Sequence, residues 1–172
     1  MILKAFKEKS NQKYVNKLLS MRKATANNNK VNTVAVVLYA DEFVDFDVFR
    51  QYFLDLNLKS PKHKIIVFTK DNTYTASSWE AYYNPKDFGW KGKINNTDLQ
   101  LFLDEPYDIL ISYYKENEPL LNLITAVSKA KFKVGLTKDD ERLYDLIIDI
   151  EPKDIDIFKV ELKKYLNILN KL

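Results

Sequence analysis

The sequence predicts an α/β fold: a single Rossmann-like, mostly parallel sheet of about five strands flanked by helices, with a basic N-terminal helical arm. Three observations carry this. Short β-branched apolar runs recur along the chain, segments with apolar residues three or four apart separate them, and the first 30 residues have a charge balance unlike the rest. With 172 residues, 46% of them hydrophobic, one domain can bury a core without disulfides or metals. The division expected is a helical arm over residues 1–30 and the α/β domain over residues 31–172.

The arm shows helical spacing at Tyr14/Val15, Leu18/Leu19 and Arg22, which predicts a helix over residues 12–23; residues 2–9 give a weaker signal across a polar gap. Thr25 and Asn27-Asn28-Asn29 read as a polar connection. Residues 32–40 (NTVAVVLYA) form a continuous apolar run, as for a central strand covered on both faces. Residues 45–56 place Phe46, Phe49, Phe53 and Leu56 on one helical stripe, and Ser60-Pro61 breaks the chain before a second strand at 64–69. After an irregular stretch, Thr97 can cap a helix to about residue 103, and residues 107–113 (YDILISY) make a third strand. Pro119 suits the first position of a helix bearing Leu120, Leu123, Ile124 and Val127, with a fourth strand at 132–136. A fifth strand at 145–150 precedes a helix opened by Pro152-Lys153-Asp154, whose Ile155, Phe158, Leu162, Tyr165, Leu166 and Leu169 give the clearest stripe in the chain.

Composition removes many chemistries. There is no cysteine and a single histidine, so thiolate nucleophiles, thiolate zinc sites and most general-base arrangements are excluded. Only Gly89, Gly92 and Gly135 are glycines, too few for a dinucleotide fingerprint, and no phosphate-loop motif is present. His63 sits at the start of a strand, the wrong end for a site in a parallel sheet, and reads as a surface residue. No catalytic residue, metal site or cofactor is expected. The longest apolar run has seven residues, so no transmembrane segment is expected; with no apolar segment behind the first charges, a cytoplasmic location is.

Residues 1–30 carry a balance of +7 against −4 for the remainder. A basic arm on a mildly acidic domain points to a polyanionic partner, although a solvated helix accounts for the same residues. The segment from Trp79 to Lys93 holds both tryptophans, two glycines and three lysines. Aromatic faces among lysines can stack unpaired bases while contacting phosphates; the plain alternative is a lid on the sheet edge. The candidate nucleic-acid-binding residues are therefore Lys4, Lys7, Lys9, Lys13, Lys17, Arg22 and Lys23 in the arm, and Trp79, Lys86, Phe88, Trp90, Lys91 and Lys93 in the loop. Asp41-Glu42 and Asp139-Asp140-Glu141 follow two strands and could face Mg²⁺, or serve only as helix-entry and turn charges. Lys129, Lys131 and Lys133 alternate toward solvent or one common surface.

The lysine-rich arm, Asn84-Pro85-Lys86-Asp87-Phe88-Gly89-Trp90-Lys91-Gly92-Lys93, Tyr107-Asp108-Ile109-Leu110-Ile111-Ser112, Ser128-Lys129-Ala130-Lys131-Phe132-Lys133-Val134-Gly135 and Tyr144-Asp145-Leu146-Ile147-Ile148 together resemble an uncharacterised bacterial family, a domain of unknown function. That resemblance implies a small cytoplasmic protein and no site residue. Residues 107–136 are also similar to part of the N-terminal Rossmann-like half of heptosyltransferase-type glycosyltransferases, which implies architecture alone. The expected function is a non-catalytic RNA- or ribosome-associated protein. A protein or anionic-membrane adaptor is the alternative, and a glycosyltransferase-like nucleotide binder a further one.

Overall fold

The computed structural model describes residues 1–23, 29–58, 62–73 and 81–172. In chain order the elements are α1 (Ile2–Met21), β1 (Val34–Tyr39), α2 (Phe46–Asp55), β2 (His63–Phe68), β3 (Ala81–Tyr83), α3 (Thr97–Asp104), β4 (Ile109–Tyr113), α4 (Pro119–Val127), β5 (Lys133–Gly135), β6 (Leu146–Ile147) and α5 (Ile155–Ile168). The strands form one six-stranded sheet in the order β3-β2-β1-β4-β5-β6, and every pairing is parallel. The chain winds outward from β1 in one direction and from β4 in the other, so the switch point lies between these two strands.

Alternation along β1 divides the core. Ala35, Val37 and Tyr39 face the layer holding α1, α3 and α4, while Val34, Val36 and Leu38 face α2 and α5. On the second face Phe49, Tyr113 and Phe158 meet edge to face, with centroids 4.9 to 6.4 Å apart. Gly135 lies against the Tyr144 ring so closely that a Cβ would stand 2.4 Å from it, the close approach that a glycine inside a strand allows.

Several elements differ from the sequence expectation. The sheet gains a sixth strand, β3, three residues long and followed at once by a turn; it is too short to show alternation. The last strand shrinks to Leu146–Ile147. Asn96, not Thr97, caps α3, accepting from the backbone N–H groups of Asp98 and Leu99. His63 is half-buried against the Phe53 ring rather than a surface residue. The largest difference is α1, which begins at Ile2 and runs for 20 residues. Val15 and Leu19 are buried in the first core and the helix lies along α4. Its polar gap is where polar bonds, not apolar packing, hold the helix.

Candidate nucleic-acid interface

The segment after β3 is a built receptacle for α1. Asn84 opens it with a reciprocal cap: its side chain accepts from the Lys86 N–H at 3.0 Å, and its own N–H donates to the Asp87 carboxylate at 2.8 Å. Asp87 also accepts from the Asn96 amide at 2.9 Å, tying the turn to the start of α3. Phe88 and Ile94 then pair antiparallel, and the Gly89 N–H donates to the Lys93 carbonyl at 2.7 Å. At the tip Lys91 and Gly92 both have positive φ, 54° and 76°, as the tightest hairpin turns require.

This hairpin grips α1 through its backbone. The buried Asn11, 3% exposed, donates to the Gly89 carbonyl at 3.1 Å and accepts from the Gly92 N–H at 2.9 Å. The Lys91 N–H donates to Ser10 Oγ at 3.2 Å, and Lys7 Nζ donates to the Phe88 carbonyl at 2.5 Å. Gly92 lies under the Tyr14 ring, where a Cβ would meet ring carbon at 2.1 Å. Asparagine mid-helix disfavours helix in isolation, yet here it satisfies one donor and one acceptor of a turn that has no ladder partner.

The two sets of candidates read separately from the sequence are thereby brought side by side. Lys9, Lys13 and Lys17 follow one another at four-residue spacing along exposed α1, about 6 Å apart along the axis. Trp90, 47% exposed, and the exposed Lys91 and Lys93 stand on the hairpin bonded to the same helix. Among the described residues none of these five lysines is in an ion pair. Other candidates have different employment. Lys7 is spent on the hairpin, Lys4 lies 4.0 Å from Glu8, and Arg22 donates to Asp145 at 2.6 Å. Lys86 donates to the Asn72 carbonyl at 3.2 Å, and Lys23 is exposed near the end of α1. Phe88 leaves the candidate set: at 1% exposure it packs edge to face with Phe68, and a ring in the core cannot stack a base. Trp79 lies outside the described residues.

At the carboxyl ends of the strands, the usual ligand position in such a sheet, the chain binds itself. Glu42 accepts from the backbone N–H groups of Lys115 and Glu116, both at 2.6 Å, filling the switch point with its own carboxylate. The Tyr39 hydroxyl donates to Asp41 at 2.8 Å; burial pushes this phenol up to about 12, so it stays a donor. Lys70 bridges Glu116 and Glu118 at 2.8 and 3.2 Å, and these partners, Glu116 first, hold its ammonium above the ordinary range. Asp140 is clamped by Arg142 at 2.7 Å, which holds its carboxyl below the ordinary range. Among the described residues no three carboxylate or histidine groups gather as a metal site would need. No helix of the described residues is long and apolar enough to cross a membrane.

A family model described as a family of unknown function, DUF6913, matches residues 7–169. The chain belongs to this family. The DUF6913 match takes in α1 from Lys7 onward, the hairpin and all six strands, so helix and receptacle lie within the shared region. No curated protein and no solved structure matches the chain, and the heptosyltransferase likeness of residues 107–136 finds no counterpart.

Proposed function

We propose that this DUF6913 protein is a non-catalytic RNA-associated protein whose binding face is the outer side of α1 together with the hairpin at its flank. The observation that carries the reading is that five lysines outside any ion pair among the described residues, Lys9, Lys13 and Lys17 on α1 and Lys91 and Lys93 on the hairpin bonded to it, accompany the exposed Trp90. Lysines at this spacing suit successive phosphates, and an exposed indole on the hairpin bonded to the same helix offers a stacking face to an unpaired base. The RNA partner we propose is the ribosomal particle.

The test is sedimentation of the tagged full chain through a gradient of gently lysed native extract, beside Lys9→Glu/Lys13→Glu/Lys17→Glu. Substitution is required because deleting the arm would strip Val15 and Leu19 from the core. Salt-sensitive, ribonuclease-sensitive migration with ribosomal particles that the triple variant loses supports the reading; identical migration of the two as free protein contradicts it. A second reading, an adaptor at an anionic membrane surface, draws on Met1, Ile2, Leu3 and Phe6, all exposed at the start of α1 among lysines. Vesicles of anionic lipid that capture the chain while neutral vesicles do not would favour it.

A further inference from the structure

At the opposite end of α1 a groove of about 600 Å³ runs between the helix and the segment that leads from α4 into β5. Both sides of it contribute apolar groups, Leu18 and Met21 from α1 and Ala126 and Ala130 from the facing segment, with Met21 59% exposed. Five cations from three segments also line it: Arg22 and Lys23 after α1, Lys129 and Lys131 in the connection, and Lys133 on β5.

Three carboxylates answer these five charges. Asp145 holds Arg22 at 2.6 Å, Asp104 holds Lys129 at 2.7 Å and Asp108 holds Lys131 at 2.8 Å. Arg22 is fixed further by donating to the Arg142 carbonyl at 3.1 Å, so its guanidinium is a preset charge. Lys133, only 4% exposed, has no carboxylate of its own; its Nζ donates to the carbonyls of Thr125 and Ala126 in the last turn of α4, at 2.6 and 3.4 Å. That position suits a cation, because the carbonyl end of a helix is negative. Burial, and then the nearby Arg22 charge, nonetheless draw its ammonium down to about 8. Among the described residues Lys23 and the buried Lys133 are thus the two lining cations without a carboxylate of their own, in a groove that also offers apolar side chains and lies within the size range of small-molecule sites.

We propose that this groove is a second ligand site, taking a nucleotide-sized organic phosphate with its phosphate at the lining cations, Lys23 and Lys129 foremost, and its body against Leu18, Met21 and Ala130. Two sources share that chemistry, a free nucleotide and the phosphorylated end of an RNA strand. The site begins at Leu18, directly after Lys17, the last of the α1 lysine row, and does not depend on RNA binding at Lys9 and Lys13.

The test titrates the full chain with AMP, and in parallel with inorganic pyrophosphate, while recording methyl resonances by NMR. The result expected is saturable movement of the Leu18, Met21, Ala126 and Ala130 methyl signals with AMP. In Lys23→Ala/Lys129→Ala, two exposed positions whose loss leaves the core intact, affinity falls about tenfold or more. Pyrophosphate, lacking a body, binds more weakly. The proposal is overturned if AMP moves none of these signals, if the double variant binds AMP unchanged, or if the shifts fall on the Lys9–Lys13–Lys17 face instead. Displacement of AMP by 5′-phosphorylated but not 5′-hydroxyl RNA supports the site with an RNA end as its source; displacement by neither supports the free nucleotide. Lys9→Glu/Lys13→Glu, which leaves Lys17 next to the groove unchanged, should retain AMP binding, so failure of the RNA reading and of this one are told apart.

Discussion

The outer face of α1 and the carboxyl edge of the sheet are both dense in charge, and they hold it in opposite ways. At the edge every principal group is answered from within: Glu42 by two backbone N–H groups, Lys70 by Glu116 and Glu118, Lys115 by Asp149 and Glu151, Asp41 by Tyr39. Along α1 and its hairpin five lysines have no such answer among the described residues. The fold would ordinarily direct attention to the edge. Charge already compensated costs a ligand more to engage, because its internal partner must be shared or displaced, whereas uncompensated charge releases counterions on meeting a polyanion.

The comparison can be broken most forcefully by charge reversal. Lys9→Glu/Lys13→Glu/Lys17→Glu is expected to weaken single-stranded RNA binding by roughly a hundredfold or more with little change in melting temperature, since each side chain is exposed. Anisotropy titration with a labelled oligonucleotide, beside a melt, checks both halves. Glu42→Gln should do the reverse, costing about 1–2 kcal/mol of stability through two lost charge-assisted bonds and leaving RNA affinity unchanged.

Lys133 sharpens the contrast, since it is a cation held at the expense of stability. Its folded-state value near 8 lies below the ordinary lysine range, so between about pH 8 and 10.5 the unfolded chain binds the proton more tightly. Stability should therefore rise with pH across that window, by on the order of 3 kcal/mol in full. Denaturant melts of the wild type and Lys133→Met should converge on this trend: the wild type gains relative to the variant as pH rises from 8 to 9.5, and parallel profiles would contradict it.

Asn11→Leu removes both hydrogen bonds to the hairpin and leaves the Gly89 carbonyl and Gly92 N–H unanswered, for a loss of about 2–3 kcal/mol by chemical denaturation. Gly92→Ala should destabilise too, through the positive φ and the Tyr14 ring. Among the RNA-binding variants the smaller effect is that of Trp90→Ala, about tenfold in affinity for unpaired RNA and little for duplex.

Periodicity made most of the fold legible. The apolar run of β1, the phenylalanine stripe of α2, Pro119 at the start of α4 and the stripe of α5 each report a local pattern that packing then uses. What stayed hidden was non-local and polar. Asn11 lies in a stretch without apolar residues, and its worth comes from backbone groups 78 and 81 residues away. The arm and the hairpin were each conspicuous by composition, but no pattern within either states that one grips the other. Phe88 shows the same limit from the other side: a phenylalanine among lysines and glycines reads as a surface ring until the Phe68 contact turns it inward.

The most direct test of the central claim is the salt dependence of single-stranded RNA binding by the full chain, measured between 50 and 200 mM salt for the wild type and Lys9→Ala/Lys13→Ala/Lys17→Ala. Five phosphate contacts predict a slope of log affinity against log salt of about −3.5, falling to about −1.4 in the variant. A flat response in the wild type, or equal slopes in the two proteins, would contradict the claim that the uncompensated lysines of α1 and its hairpin form the binding face.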